Sequence, residues 1–430
     1  MIVLLLLIGL AQAQDVPRLS LSETLDLVVA RNPDLEVASL QQQIARIDAS
    51  RARLDRLTLN LSSQAGVGAG TVRAWGGATT DATSSSWDTR AALVVPIYAG
   101  GAIDASIDAA DASSRISATD RALTSRDLER AAYTAYWTLK GYELQIGAAE
   151  EGLALTEESL AIIRAKADAG LSAGIDVNRA AVDALSQQEG LVADRAALYQ
   201  AELDLLALLQ LPGEHVVLVD DPPAPRTGDV RLPTDPGASR PELARAADEA
   251  ALADASVRAA RAGYRPTLSL AAESGLGTSL APTSPAFDGA AAEPSFDASV
   301  GLNLSWNPFN LLQTRDAVQQ AQLGTAVVEA ATRGLRVSIS AQVHQAAVQV
   351  NQLRQRAPLV AAQVALARDN LQIVQDLYGQ GAATILDLFD AQSAFRQARI
   401  QEAALAVALA IAEEDLEWLQ GAAPDTGASP

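Results

Sequence analysis

Cysteine is absent from the 430 residues, methionine occurs once, and histidine occurs twice, at His215 and His344. Without cysteine there is no disulfide framework, no thiol chemistry and no Cys-based zinc site. His215 lies beside a Pro-rich stretch and His344 within a long helical pattern, and neither has a carboxylate spacing that suits a metal or a triad. Aromatic residues are scarce at 4%, although 49% of the chain is apolar. Much of that fraction is alanine, which favours long, closely packed helices over an aromatic core. Positive charge is also short: 32 Lys plus Arg face 52 Asp plus Glu, a formal charge of −20. Phosphate binding needs a basic face, so nucleic acid is not expected as a partner. Gly66-Val67-Gly68-Ala69-Gly70 resembles a nucleotide loop only in spacing, because a polar stretch rather than a helix follows it. No catalytic constellation, cofactor motif or metal set emerges, and no enzyme is expected.

Long apolar runs are missing too, with one exception. Met1 to Leu10 reads MIVLLLLIGL and is followed by Ala11-Gln12-Ala13, then polar Gln14-Asp15. A run of about ten apolar residues before an A-x-A site is the pattern of a secretory signal, here cleaved after Ala13. It is too short to span a bilayer, which takes about 20 apolar residues. An exported chain of this kind can meet a membrane only with strands.

What is present is one unit used twice. Asn32-Pro33-Asp34-Leu35 recurs as Arg240-Pro241-Glu242-Leu243, and Thr58-Leu59-Asn60-Leu61 as Thr267-Leu268-Ser269-Leu270. Residues 170–177 (GLSAGIDV) recur as 381–388 (GAATILDL), and Leu208-Leu209-Gln210 as Trp418-Leu419-Gln420. The offsets stay within 208 to 211 residues, the mark of an internal duplication. The expected division is a signal peptide at 1–13, a first repeat at 14–213, a Pro/Gly-rich linker at 214–237, a second repeat at 238–421 and a disordered tail at 422–430.

Each copy is expected to open with a helix ending at the Asn-Pro turn or its counterpart, followed by a second helical run. A β-hairpin comes next, at about 57–98 and about 266–307. Leu57, Leu59, Leu61, Ala65 and Val67 alternate with polar or small residues, as do Phe296, Ala298, Val300, Leu302, Leu304 and Trp306. A period of two over roughly 11 residues suits a membrane strand with one face in lipid. A secreted β-sandwich would alternate in the same way. The partner strands, about 87–98 and 266–276, alternate less cleanly, and 76–86 and 278–295 read as polar loops. Trp75, Trp87 and Trp306 fall at the expected strand ends, where interfacial girdles place such rings.

Residues 103–169 and 312–380 hold few Gly or Pro and read as very long helices. At 1.5 Å per residue each would extend about 100 Å. Helical returns follow at 175–211 and 384–420, and Leu191, Leu198 and Leu205 fall seven apart, as in a coiled-coil seam. Gly147 and Pro358 occupy equivalent positions, where both long helices are expected to bend or pause. Tyr133, Tyr136 and Trp137 read as packing between helices. Arg51, Arg53 and Arg56 read as a solvated helix end or as a contact to lipid phosphates. Four strands cannot close a membrane barrel, which needs about eight, and open edges in lipid are not tolerated. Two chains would give eight strands and three would give twelve, with the paired helices forming a tube.

In this order of elements the chain resembles the TolC-type outer-membrane efflux proteins, or outer membrane factors, over essentially the whole mature sequence. The matching pieces are Asn32-Pro33-Asp34-Leu35; the strand-to-helix corner Pro96-Ile97-Tyr98-Ala99-Gly100-Gly101, with Pro308-Phe309 at the second corner; Gly170-Leu171 through Asp176-Val177; and Tyr378 through Gly381, Thr384, Asp387 and Asp390. The last is the most specific, since the family carries a Tyr, Gly, Thr and spaced Asp pair there. The resemblance implies an α + β membrane protein. Its homotrimer would combine a twelve-stranded β-barrel, four strands per chain, with a continuous periplasmic α-helical barrel of coiled-coil pairs. It implies the outer membrane of a Gram-negative bacterium, contact with outer-membrane lipid, and a large periplasmic portion. The implied role is the exit duct of a tripartite efflux or type I secretion system, docked on a periplasmic adaptor (membrane fusion) protein and an inner-membrane pump of RND or ABC type. Lipidated relatives carry a Cys at the mature N-terminus, so this chain resembles the unlipidated branch. A trimeric coiled-coil fibre or adhesin is the competing architecture, and it leaves the hairpin in each copy unexplained.

Asp387 and Asp390 lie three apart, hence on one face of the returning helix. In a trimer they would ring the periplasmic mouth with six carboxylates, attracting cations and opposing anions. Thr384-Ile385-Leu386-Asp387 equally fits a capping box, which would make Asp387 a helix cap. By resemblance, Asp176 and Tyr378 sit near the same tip and hold the helix pairs together when the entrance is closed. A basic residue of the family in this segment is replaced here by Ala382-Ala383, so an Arg-based lock is not expected.

Overall fold

The computed structural model describes residues 17–56, 58–73, 79–170, 173–213, 215–224, 226, 228–232, 237–280 and 293–421. The expected signal segment, Leu57, Trp75, Leu171 and the tail after Gly421 lie outside the described residues. In chain order the elements are β1 (Arg18–Leu19), α1 (Leu21–Arg31), α2 (Pro33–Leu54), β2 (Thr58–Arg73), β3 (Thr79–Tyr98), α3 (Ala102–Asp168), α4 (Gly174–Leu208), β4 (Val217–Leu218), α5 (Pro241–Ala262), β5 (Thr267–Leu280), β6 (Glu293–Ser305), α6 (Leu311–Gly379) and α7 (Ile385–Gln420). Helix, hairpin and long helix pair thus occur twice. The second copy has no counterpart of α1 among the described residues: no described helix lies between β4 and α5, which opens at Pro241, the counterpart of Pro33. α3 and α6 continue through Gly147 and Pro358 without interruption. One Gly or Pro costs about 1 or 3 kcal/mol, little beside the packing along so long a helix. No described helix is long and apolar enough to cross a membrane.

The chain divides into two compact units. One comprises Leu40–Asp120 and Ala244–Arg333. It holds a four-stranded antiparallel sheet in the order β2-β3-β5-β6. The register places Leu59, Leu93, Ala272 and Val300 in one row, and Asn60, Ala92, Glu273 and Ser299 in the next. Side chains alternate along a strand, so the first row marks an apolar face and the second a polar one that also carries Asp88, Arg90 and Asp297. The apolar face is bare: Leu59 is 72% and Val300 76% exposed.

The strands exceed their alternating stretches. β3 begins at Thr79 rather than near 87, because residues 79–86 pair one for one with 66–73 of β2. Ladder bonds come from the backbone, and Thr suits the pleat without any apolar pattern. Trp87 therefore lies inside β3, opposite Ala65 and Thr278, instead of at a strand end. Trp306 follows β6 directly.

The strand-to-helix corners are built by special backbone. Gly100 and Gly101 have φ of 64° and 94°, and a Cβ on Gly100 would stand 2.8 Å from the Ala262 carbonyl oxygen. The register with β5 shifts between Pro96 and Tyr98. At the second corner the Asn307 side chain accepts the Phe309 N–H at 3.1 Å, and Pro308–Asn310 form one 3-10 turn. The helices of this unit are laced by ion pairs: Arg53–Asp111 at 2.7 Å, Arg56–Asp104 at 2.6 Å, Arg115–Asp248 at 2.6 Å and Arg245–Asp120 at 2.6 Å. Arg53 and Arg56 thus bind α3.

The other unit comprises the described parts of Met1–Ser39, Arg121–Leu243 and Gly334–Pro430. Its largest core gathers Val28, Tyr136, Trp137, Leu139, Leu205 and Leu209 beside the parallel pair β1–β4. The Tyr136 and Trp137 rings meet edge-on with centroids 5.3 Å apart. Leu191 and Leu205 of the expected seam are buried, and Leu198 packs partly buried against the core.

Candidate functional site

The α6–α7 turn closes through its backbone. Ala382 N–H donates to the Leu377 carbonyl at 2.8 Å and Gly381 N–H to that of Tyr378 at 3.2 Å. Gly381 has φ 75°, the left-handed conformation that ends a helix in this way. Gly170 repeats the conformation at the α3–α4 turn, with φ 74°. Thr384 then starts α7. Its hydroxyl accepts the Asp387 N–H at 3.2 Å and donates to Asp387 Oδ2 at 2.6 Å, while its own N–H donates to that oxygen at 2.8 Å. The capping box is present. These bonds, the hydroxyl's first, hold the exposed Asp387 carboxyl below the usual carboxylate range. Asp390, one turn on, is exposed.

A cap of this kind has a pH signature. Because the folded state depresses the Asp387 carboxyl, its contribution is present above the ordinary value and lost as pH falls through the folded one. Thr384→Val should cost about 1 kcal/mol at the start of α7. Amide exchange over residues 385–388 should quicken in that variant at neutral pH, and its gap from the natural chain should narrow in acid, where the Thr384 hydroxyl still accepts the Asp387 N–H but the carboxylate is lost.

The first copy is built differently. Ala173 at the N-cap brings no hydroxyl and α4 has no side-chain cap. Asp176, the counterpart of Asp387, lies near Tyr378 instead: burial first and the Asp176 charge second push the Tyr378 hydroxyl above its ordinary value. Tyr378 packs both against Leu371 and Leu388 of the α6–α7 pair and against Leu160, Ile163 and Ala180 of the α3–α4 pair. Ile385 and Phe389 of α7 join the second group. The structure therefore brings Asp176 and Tyr378 together, with Asp387 and Asp390 on the adjoining helix.

Lys166 escaped the sequence reading. Its Nζ lies 4.1 Å from the Tyr378 ring centroid and donates to the Tyr378 carbonyl at 2.8 Å. The available signal was compositional: only Lys140 and Lys166 interrupt a basic set made otherwise of arginine. Along α7, the buried Gln392 donates to Ser159 Oγ at 2.7 Å and to the Leu155 carbonyl at 3.2 Å, while its Oε1 has no protein partner. α3 and α7 thus face each other across a partly polar seam. α4 and α6 expose apolar stripes, Ile175, Val182, Leu185 and Val192 on one, Leu359, Leu366 and Ile373 on the other. No group of three or more metal-ligating side chains occurs among the described residues.

Residues 24–210 and 233–422 match the family described as outer membrane efflux protein. The pyoverdine export outer membrane protein OpmQ of Pseudomonas putida is 25% identical over 363 residues, 84% of this chain and 73% of its own. Among solved structures, the outer-membrane channel OprN is 22% identical with a TM-score of 0.79, over 94% of this chain and 90% of that one. The outer membrane protein VceC of Vibrio cholerae is 17% identical with a TM-score of 0.76, over 94% and 96%.

Proposed function

Since the chain belongs to the outer membrane efflux protein family, we propose that it works as the exit duct of a tripartite efflux or type I secretion system. The observation that carries this reading is the four-stranded sheet with one bare apolar face. Its edge strands, β2 and β6, have no outer partner among the described residues, and lipid does not tolerate open edges. An even number of antiparallel strands lets β6 of one copy run antiparallel to β2 of the next. Three copies close a twelve-stranded barrel, comfortably above the minimum of about eight. Trp87 on the apolar face and Trp306 after β6 serve as interfacial anchors.

The helices of the other unit support the same homotrimer. Within one chain α3 contacts α7, so α4 and α6 form the flanks. α4 leaves its turn as α6 arrives at its own, and Leu359, Leu366 and Ile373 repeat at seven, as do Ile175 and Val182, and Leu185 and Val192. Such stripes pair as antiparallel coiled-coil seams between copies. Asp387 and Asp390 then supply six carboxylates to the entrance, Asp387 serving as cap and as charge together. The partners are a periplasmic adaptor and an inner-membrane pump of RND or ABC type. Likeness to a pyoverdine export protein favours small-molecule cargo over protein. A surface fibre has no use for a bare apolar sheet face.

The test is single-channel recording of the purified protein in a planar bilayer. A small, cation-preferring conductance is expected, with cation preference reduced in Asp387→Ala/Asp390→Ala. Folded trimer that conducts at no voltage would overturn the duct. Unchanged selectivity in the variant would leave the acids as caps alone.

A further inference from the structure

We infer that Lys166 is the positioning residue that bolts the entrance of this duct shut, by gripping the end of α6 from α3. The inference rests on the duct reading. One side chain makes two contacts to one residue: it lies over the Tyr378 ring at 4.1 Å and donates to the Tyr378 carbonyl at 2.8 Å. That carbonyl belongs to the last turn of α6, where the helix presents its partial negative charge, so a cation is favoured there twice over. The two partners are 212 residues apart in sequence and belong to different helix pairs. Breaking this grip therefore loosens the end of α6 from α3.

The surroundings are those of a joint that can part. Each hairpin has a buried core of its own, Leu160, Ile163, Ala180 and Ala184 in one and Val364, Leu371, Leu388 and Phe395 in the other, and only partly buried residues bridge them: Leu155 from α3 and Tyr378, Ile385 and Phe389 from the α6–α7 pair. Further along the seam Gln392 meets Ser159, and the Gln392 Oε1 is buried without a protein partner. Separation would let that oxygen reach water, which offsets part of the cost of opening. Gly170 and Gly381, at the two turns, have no heavy atom within 4 Å of a notional Cβ apart from their own chain neighbours, so neither turn is wedged in place. The grip needs a cation over the ring and a donor to the carbonyl, and the Lys166 ammonium supplies both.

The test combines bilayer recording with amide hydrogen exchange over residues 166–178 and 378–388. Lys166→Met should raise open-state occupancy about tenfold and speed exchange at both turns. Tyr378→Leu should do the same, and the double variant should do no more than either alone. Lys166→Arg, which keeps a cation at the ring, should stay nearer the natural chain than Lys166→Met does. Heat-resistant trimer on gels checks that each variant is assembled. Unchanged conductance and exchange in Lys166→Met, or simply additive effects in the double variant, would overturn the bolt. A natural chain that never conducts would instead sink the duct reading, and exchange would still show whether Lys166 holds the two hairpins together.

Discussion

Val300→Arg is expected to abolish recovery of the protein with the outer membrane, whereas Ser299→Arg, one residue away, should leave it unchanged. Val300 is 76% exposed in the single chain and shares its row with Leu59, Leu93 and Ala272. If that face meets lipid, an arginine near the bilayer midplane costs about 2–4 kcal/mol in each chain. A trimer would bear that cost three times, enough to defeat insertion. Ser299 belongs to the opposite row, directly across from Glu273, where an arginine gains a neighbour of opposite charge. Membrane fractionation and heat-resistant trimer on gels read the outcome. Equal insertion of the two variants would mean that the apolar face does not face lipid.

The second large effect concerns the other unit. Tyr136→Ala should cost about 3–5 kcal/mol, and Tyr136→Phe about 1–2 kcal/mol. The ring is fully buried against Trp137. Its hydroxyl lies 3.3 Å from the Leu19 carbonyl oxygen and 3.2 Å from Asp220 Oδ2, and it accepts the Asp220 N–H at 3.1 Å. Asp220 Oδ2 in turn accepts the Leu21 N–H at 2.7 Å. One phenol thus ties α3 to β1, to the start of α1 and to the stretch after β4. Burial pushes this hydroxyl up to about 12, so the folded state favours the neutral form. The resulting stability is whole below the ordinary tyrosine value of about 10 and is lost as pH climbs from there through the folded value. Tyr133 is raised by burial as well, so Tyr136→Phe should shrink the alkaline loss of stability without erasing it. Thermal melts followed by circular dichroism across alkaline pH would measure both. An alkaline loss unchanged in Tyr136→Phe would assign it to Tyr133 and other groups.

Neighbouring residues were sufficient for much of this architecture. Period-two alternation at 296–306 announced β6, and long stretches nearly free of Gly and Pro announced α3 and α6. Thr384 and Asp387, three residues apart, spelled out a cap that the backbone then made. All of these are short-range: their periods of 2 and 3.6 and their caps span a few residues, so the local sequence encodes them completely. Other features exist only because distant segments meet. β3 starts at Thr79 since β2 supplies a partner for residues with no pattern of their own. Lys166 finds Tyr378 only when two helical hairpins lie side by side. The stripes on α4 and α6 stay bare because α3 and α7 take up each other's faces. Sequence determined the elements and their repetition. Only tertiary structure decided which side chains meet, because contact across elements depends on register and helix rotation, which no local period specifies.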